Sequence, residues 1–145
     1  AEPFAGPPQT LDGREIVIRA NADLPAVYRR SRQLGVSGIG LFRSEFLFNR
    51  YGGFPTEHQQ YEAYRRLAAA AGPDGVKIRT FDIAIGQLVE RGGEDRERNP
   101  ALGLRGIRLG FAFPRQLRTQ LRAILRAAHG HTVDIVLPMV TSASE

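Results

Sequence analysis

Val36-Ser37-Gly38-Ile39-Gly40-Leu41-Phe42-Arg43-Ser44-Glu45 is the stretch whose reading decides the fold. A short apolar run, residues 36–42, stops abruptly at the polar trio Arg43, Ser44 and Glu45, the pattern of a strand buried on both faces of a parallel sheet. Immediately upstream, Gly35 closes a helical stretch at 24–34, with Asn21 and Asp23 supplying capping chemistry at its start. Before that helix, residues 14–20 alternate charged and β-branched side chains (Glu15, Ile16, Val17, Ile18), which suits a first strand.

Downstream the same unit recurs. Residues 46–54 read as a connection containing Gly52 and Gly53, after which Thr56 caps a helix over 57–71 whose apolar face carries Tyr61, Tyr64, Leu67 and Ala68. A turn at 72–75 leads into a third strand, 76–83, ending in Arg79, Thr80 and Asp82. Residues 84–98 are charged and glycine-containing. Asn99-Pro100 then opens a helical stretch with a break at Phe113-Pro114, because proline cannot continue an established helix. A helix at 115–128 and a fourth strand at 132–140 complete the chain.

Strand then helix, four times over, predicts an α/β fold with a parallel sheet. Periodicity leaves two arrangements open: an open doubly wound sheet, or a β/α barrel, of which four units make half of the typical ~250 residues. Residues 1–10, rich in proline and glycine, read as an irregular lead-in or linker, and residues 11–145 as the domain proper.

Composition excludes several classes. No apolar run approaches the ~20 residues that cross a bilayer, and the N-terminus lacks the layout of a signal peptide, so a soluble, unexported chain is expected. The absence of cysteine removes disulfides and thiolate metal sites and fits a reducing cytoplasm. A net charge of +5 invites nucleic-acid binding. Against that, Lys77 is the only lysine, and arginines such as Arg115, Arg118, Arg122 and Arg126 fall at the spacing of a solvated helix face, so no nucleic-acid partner is expected. His58, His129 and His131 show no metal-ligand spacing.

In a parallel β/α fold, polar residues at the C-terminal ends of strands gather at the ligand-binding face. Those ends are Asn21, Arg43 with Glu45, Arg79 with Asp82, and Met139 with Thr141. Two guanidinium groups on adjacent strands suit a small anion with phosphate or carboxylate oxygens. Arg43 and Arg79 equally suit a purely structural network with Glu45 and Asp82. Arg105 sits near a helix start, where unpaired N–H groups favour an anion, and it joins the candidate set. Asn21, Glu45 and Asp82 are supporting candidates, and Met139 is expected to form an apolar floor.

Linked motifs then become visible: Thr10-Leu11-Asp12-Gly13, the run Gly38 to Phe48, Pro55-Thr56-Glu57, Arg79-Thr80-Phe81-Asp82, the run Asn99 to Arg108, and Leu137-Pro138-Met139. In that order they resemble Enzyme I of the bacterial phosphoenolpyruvate sugar phosphotransferase system, more than its relatives pyruvate phosphate dikinase and phosphoenolpyruvate synthase. The resemblance implies a phosphoenolpyruvate-binding barrel in which Arg43 and Arg79 grip the substrate phosphate and Arg105 lies close by. It further implies Mg2+ dependence, with ligands in the second half of the barrel. Transfer would run to a histidine on another domain and then to the carrier HPr. The chain is thus expected to be the first half of such a barrel, not catalytically complete alone, and to self-associate through unpaired edges and an exposed apolar interior. Where the family has Gly-Gly-Asp-Lys, this chain has Ala84-Ile85-Gly86-Gln87, which motivates an alternative expectation: a non-catalytic interaction or regulatory module on the same scaffold.

Overall fold

A computed structural model describes residues 8–89, 99 and 101–145. It contains a four-stranded parallel sheet of β1 (Ala20–Asn21), β2 (Ile39–Arg43), β3 (Val76–Arg79) and β4 (Val133–Val136), in the spatial order β1-β2-β3-β4. Between the strands lie α1 (Pro25–Arg32), α2 (Glu45–Tyr51), α3 (Glu57–Ala71), α4 (Ile85–Val89), α5 (Gly106–Ala112) and α6 (Pro114–Ala127). A doubly wound sheet reverses its strand order at a switch point. Here the order follows the chain, as in half of a β/α barrel.

One core lies between the sheet and three helices. Tyr28 of α1, Tyr64 and Leu67 of α3, and Ile124 of α6 are buried with Ile39, Phe42, Val76 and Ile78 of the strands. The spacing of Ile39 and Phe42 departs from the period of two that a regular strand imposes. In register, Ile39 pairs with Val76 and Phe42 with Ile78, so Gly40 and Leu41 together oppose Lys77. This is a β-bulge, with two residues facing one. Gly40 within it lets Arg19 approach closely, since a Cβ there would lie 2.7 Å from the Cβ of Arg19.

A chain of buried polar groups links α3, α6 and the segment after β3. Gln60 Nε2 donates to Pro55 O at 2.9 Å, and Tyr64 OH donates to Gln60 Oε1 at 3.0 Å. Gln120 Nε2 donates to Tyr64 OH at 3.0 Å while its Oε1 accepts from Phe81 N at 3.0 Å. Every member is satisfied, as burial requires. Burial also pushes the Tyr64 phenol above its ordinary range, so it stays protonated.

Several sequence expectations are corrected. The first strand is Ala20–Asn21 rather than 14–20; Ile16, Val17 and Ile18 are exposed, and pairing there is limited to an antiparallel bridge between Gln9 and Glu15, Ile16 N to Pro8 O at 2.7 Å and Ser37 N to Ile18 O at 2.8 Å. The connection at 46–54 contains α2, ended by Gly52 in the left-handed conformation (φ 68°). The helical stretch expected from Asn99 begins at Gly106, because Arg105 is extended and bridges Ala84. Residues 90–98 and 100 of that expectation lie outside the described residues, as do 1–7 of the lead-in. The apolar interior is also revised: Lys77 and Asp134, paired on the face away from Val76 and Ile78, are charged. The helix over Glu57–Ala71 and the break at Phe113-Pro114 stand as expected.

Replacing Gly40 by alanine should force Arg19 and the bulge apart and cost about 1–3 kcal/mol. Urea unfolding monitored by circular dichroism measures this as a lowered midpoint.

Candidate functional site

Arg43 is the last residue of β2 and Arg79 the last of β3, and they are register partners. Neighbouring strands lie ~4.8 Å apart and paired residues share a face, so the two side chains rise from one spot. Together with Asp23, Glu45, Phe46 and Asn49 they line an open cleft of ≈ 330 Å³.

Each cation has a carboxylate. Arg43 donates to Asp23 through Nη2 (2.5 Å to Oδ2), Nε (3.4 Å to Oδ1) and its backbone N–H (3.4 Å to Oδ1). The Asp23 carboxylate, first by hydrogen bond and then by charge, raises the Arg43 pKa further above its ordinary value. Arg79 Nη2 donates to Glu45 Oε1 at 2.9 Å, and the same oxygen accepts from Asp82 N at 2.6 Å. Arg79 Nη1 lies 3.7 Å from Asp82 Oδ2, and Asp82 Oδ1 accepts from Arg105 Nε at 2.8 Å. Asp82 likewise raises the Arg105 pKa, mainly through that hydrogen bond. The result is a continuous ionic chain, Glu45–Arg79–Asp82–Arg105, with the Arg43–Asp23 pair beside it.

Local structure explains these positions. Ser44 holds the N-cap position of α2 directly after β2 without a side-chain cap bond, and the helix start places Glu45 within 2.9 Å of Arg79. The bond from Phe81 N to Gln120 fixes the segment between Arg79 and Asp82 from below. Arg105 is held extended by its bridge to Ala84, and Gly106 then turns with φ 58°, where a Cβ would meet Pro138 O at 2.8 Å. Three buried atoms at this rim have no hydrogen-bond partner among the described residues: Ser44 Oγ, Glu45 Oε2 and Arg79 Nε.

Of the candidates read from sequence, Arg43, Arg79 and Glu45 converge on the cleft, and Asp82 and Arg105 connect to it through Arg79. Asn21 ends β1, exposed, and is not among the cleft-lining residues. Met139 lies against Gly106 beside Arg105, with its own backbone at φ 65°. Three lining residues, Asp23, Phe46 and Asn49, are not among the candidates read from sequence. Asp23 was taken for a helix cap, yet no side chain caps α1; Asn49 lies in the helix read as a connection. Asp23 stands two residues beyond a strand end, and applying the strand-end rule to that loop would have found it.

A Mg2+ ion needs oxygen ligands such as converging carboxylates. Among the described residues no three His, Cys, Asp or Glu side chains converge in this way. These residues do not fit a magnesium site.

Fold and rim together define a parallel β/α unit with a cationic pair at the C-terminal ends of its strands. The chain matches the PEP-utilising enzyme, PEP-binding domain family over residues 4–145, and it belongs to that family. It is similar to a phosphoenolpyruvate-protein phosphotransferase of Cupriavidus necator, 43% identical over 142 residues, covering 96% of this chain and 24% of that protein. A multiphosphoryl transfer protein of Xanthomonas campestris pv. campestris is 41% identical over 140 residues, covering 96% of this chain and 17% of its own. A phosphoenolpyruvate-protein phosphotransferase of Borreliella burgdorferi is 35% identical over 134 residues, covering 92% and 23%. The chain thus spans about a quarter or less of the length of these curated relatives.

Replacing Glu45 by alanine strips Arg79 of its closest carboxylate and the Asp82 N–H of its acceptor. A loss of about 2 kcal/mol is expected, read as a lowered urea midpoint at unchanged m-value.

Proposed function

We propose that this chain is the phosphoenolpyruvate-binding part of a phosphoenolpyruvate-dependent protein phosphotransferase, with residues 11–145 forming the first half of its barrel. The observation that carries the proposal is the in-register pair Arg43–Arg79 on one cleft, in a chain of a PEP-binding family. The Arg79 guanidinium is planar, permanently charged and partly withdrawn from water, so it suits a phosphate anchored at one orientation. Arg43, half exposed at the mouth, can follow the phosphoryl group as charge redistributes during in-line transfer. Arg105 sits one carboxylate further along and steadies Asp82, and through it Arg79.

In this reading the phosphoryl group passes from phosphoenolpyruvate to a histidine of another domain and from there to an HPr-like carrier, in the cytoplasm. The magnesium dependence implied by the resemblance is not assigned to residues of this chain. Asn21 and Met139 flank the rim rather than line it, and their role is supporting.

In a phosphotransferase that carries this segment, Arg43→Ala or Arg79→Ala should lower the rate of phosphoenolpyruvate-dependent transfer by about 10²–10³, the size of losing one preorganised donor to a developing charge. Rapid-quench measurement of histidine phosphorylation reads this directly. Near-normal rates in both variants would defeat the site and favour the non-catalytic module.

The 145-residue chain should also self-associate. Ile16, Val17 and Ile18 before β1, and Leu137 and Val140 beyond β4, are exposed apolar side chains next to the two outer strands of the described sheet. Sedimentation velocity over a range of concentrations should show a rising weight-average mass, and a concentration-independent monomer would contradict it.

A further inference from the structure

The cleft carries no net formal charge. Its arginines, Arg43 and Arg79, are matched by Asp23 and Glu45, and the extension through Asp82 and Arg105 adds one charge of each sign. An incoming phosphate therefore meets a balanced rim, and it gains full use of a guanidinium only if a carboxylate gives way. The three carboxylates are unequal in their capacity to do so.

Glu45 is held by Arg79 and by the backbone N–H of Asp82, and Asp82 is clasped between Arg79 and Arg105 with its side chain 10% exposed. Asp23 is the most exposed of the three at 23%, it lies in the loop between β1 and α1, and its hydrogen bonds among the described residues all come from Arg43. Turning away would cost Asp23 one partner and return its carboxylate to water.

Asp23 also occupies the edge of Arg43 that an oxyanion would use. The Nε and Nη2 donors meet the two carboxylate oxygens as a fork, and the Arg43 backbone N–H adds a third donor to Oδ1. A phosphate presents two oxygens in the same geometry.

From this we infer that Asp23 is an affinity-setting residue, an internal stand-in for the ligand's phosphate that holds the Nε/Nη2 edge of Arg43 until the phosphate displaces it. The inference rests on the proposed role of Arg43 and Arg79 as phosphate ligands. Asp23 touches the binding group rather than the reacting atoms, so its effect falls on binding.

The test is calorimetric titration of phosphoenolpyruvate, with inorganic phosphate as a second probe, into the 145-residue chain at low ionic strength. Four forms are compared: wild type, Asp23→Asn, Arg43→Gln and the double variant, with Arg79→Gln as a control. Circular dichroism confirms that each is folded. Asp23→Asn keeps the shape of the side chain and removes its charge. It should bind both probes about two- to five-fold more tightly, the equivalent of losing one exposed ion pair, and the gain should shrink as salt is added. Arg43→Gln should weaken binding, and adding Asp23→Asn to it should restore nothing, since the residue being competed for is gone.

If Asp23→Asn binds no tighter, or binds more weakly, while both arginine variants lose affinity, Asp23 positions Arg43 instead of competing for it. The inference then fails and the site reading survives. If Arg43→Gln and Arg79→Gln bind like wild type, or no form binds either probe, the site reading fails and the inference falls with it.

Discussion

The site depends on one irregularity of the sheet, the bulge at Gly40 and Leu41. In a regular strand, residues four apart share a face, so Arg43 would point the same way as Ile39, into the helix-packed core. The bulge inserts one residue, keeps both Ile39 and Phe42 against the helices, and sends Arg43 to the opposite face. Arg79 reaches that face without help, since Val76 and Ile78 take the core side of β3. A slip of one residue would separate the two guanidinium groups by the thickness of the sheet.

Placing two permanent cations on neighbouring strand ends creates repulsion that the fold answers locally. Glu45 arrives because α2 begins immediately after β2, and Asp82 because the segment after β3 is pinned by Gln120 through Phe81 N. Gln120 is fixed in turn by Tyr64, and Tyr64 by Gln60. A buried, fully satisfied polar relay of this kind specifies one arrangement in a way that an apolar contact would not. The core beneath the sheet thereby sets the geometry of the charges above it.

Much of this was legible in the sequence, for identifiable reasons. The helix Glu57–Ala71 announces itself through the reciprocal cap of Thr56 and Gln59, and the break before Pro114 follows from the chemistry of proline. Arg43, Arg79, Glu45 and Asp82 follow from the rule that strand ends form the ligand face. What stayed hidden depends on long-range pairing. The bulge cannot be read from β2 alone, because only the partner strand shows that Gly40 and Leu41 share one opposing residue. Asp23 was misread because a carboxylate just before a helix fits both a cap and an ion pair, and only the position of Arg43 decides between them. The helix α2 was lost behind its own stop signal: Gly52 and Gly53 were read as loop, when Gly52 closes the seven residues before it.

The unequal exposure of the two guanidinium groups gives the pair a division of labour. Arg79, with its side chain 26% exposed, is tied to two carboxylates. Its two carboxylates are themselves held by other donors, Glu45 by the Asp82 N–H at 2.6 Å and Asp82 by Arg105 at 2.8 Å, so neither can swing away from Arg79 without breaking a second bond. Arg43 is 51% exposed and tied to one carboxylate that water can solvate. Exchange at Arg43 would replace one oxyanion by another across the same fork. Under the proposed site, a guanidinium fixed by two carboxylates beside one held by a single exchangeable carboxylate would let a balanced rim bind an anion without first carrying an uncompensated charge.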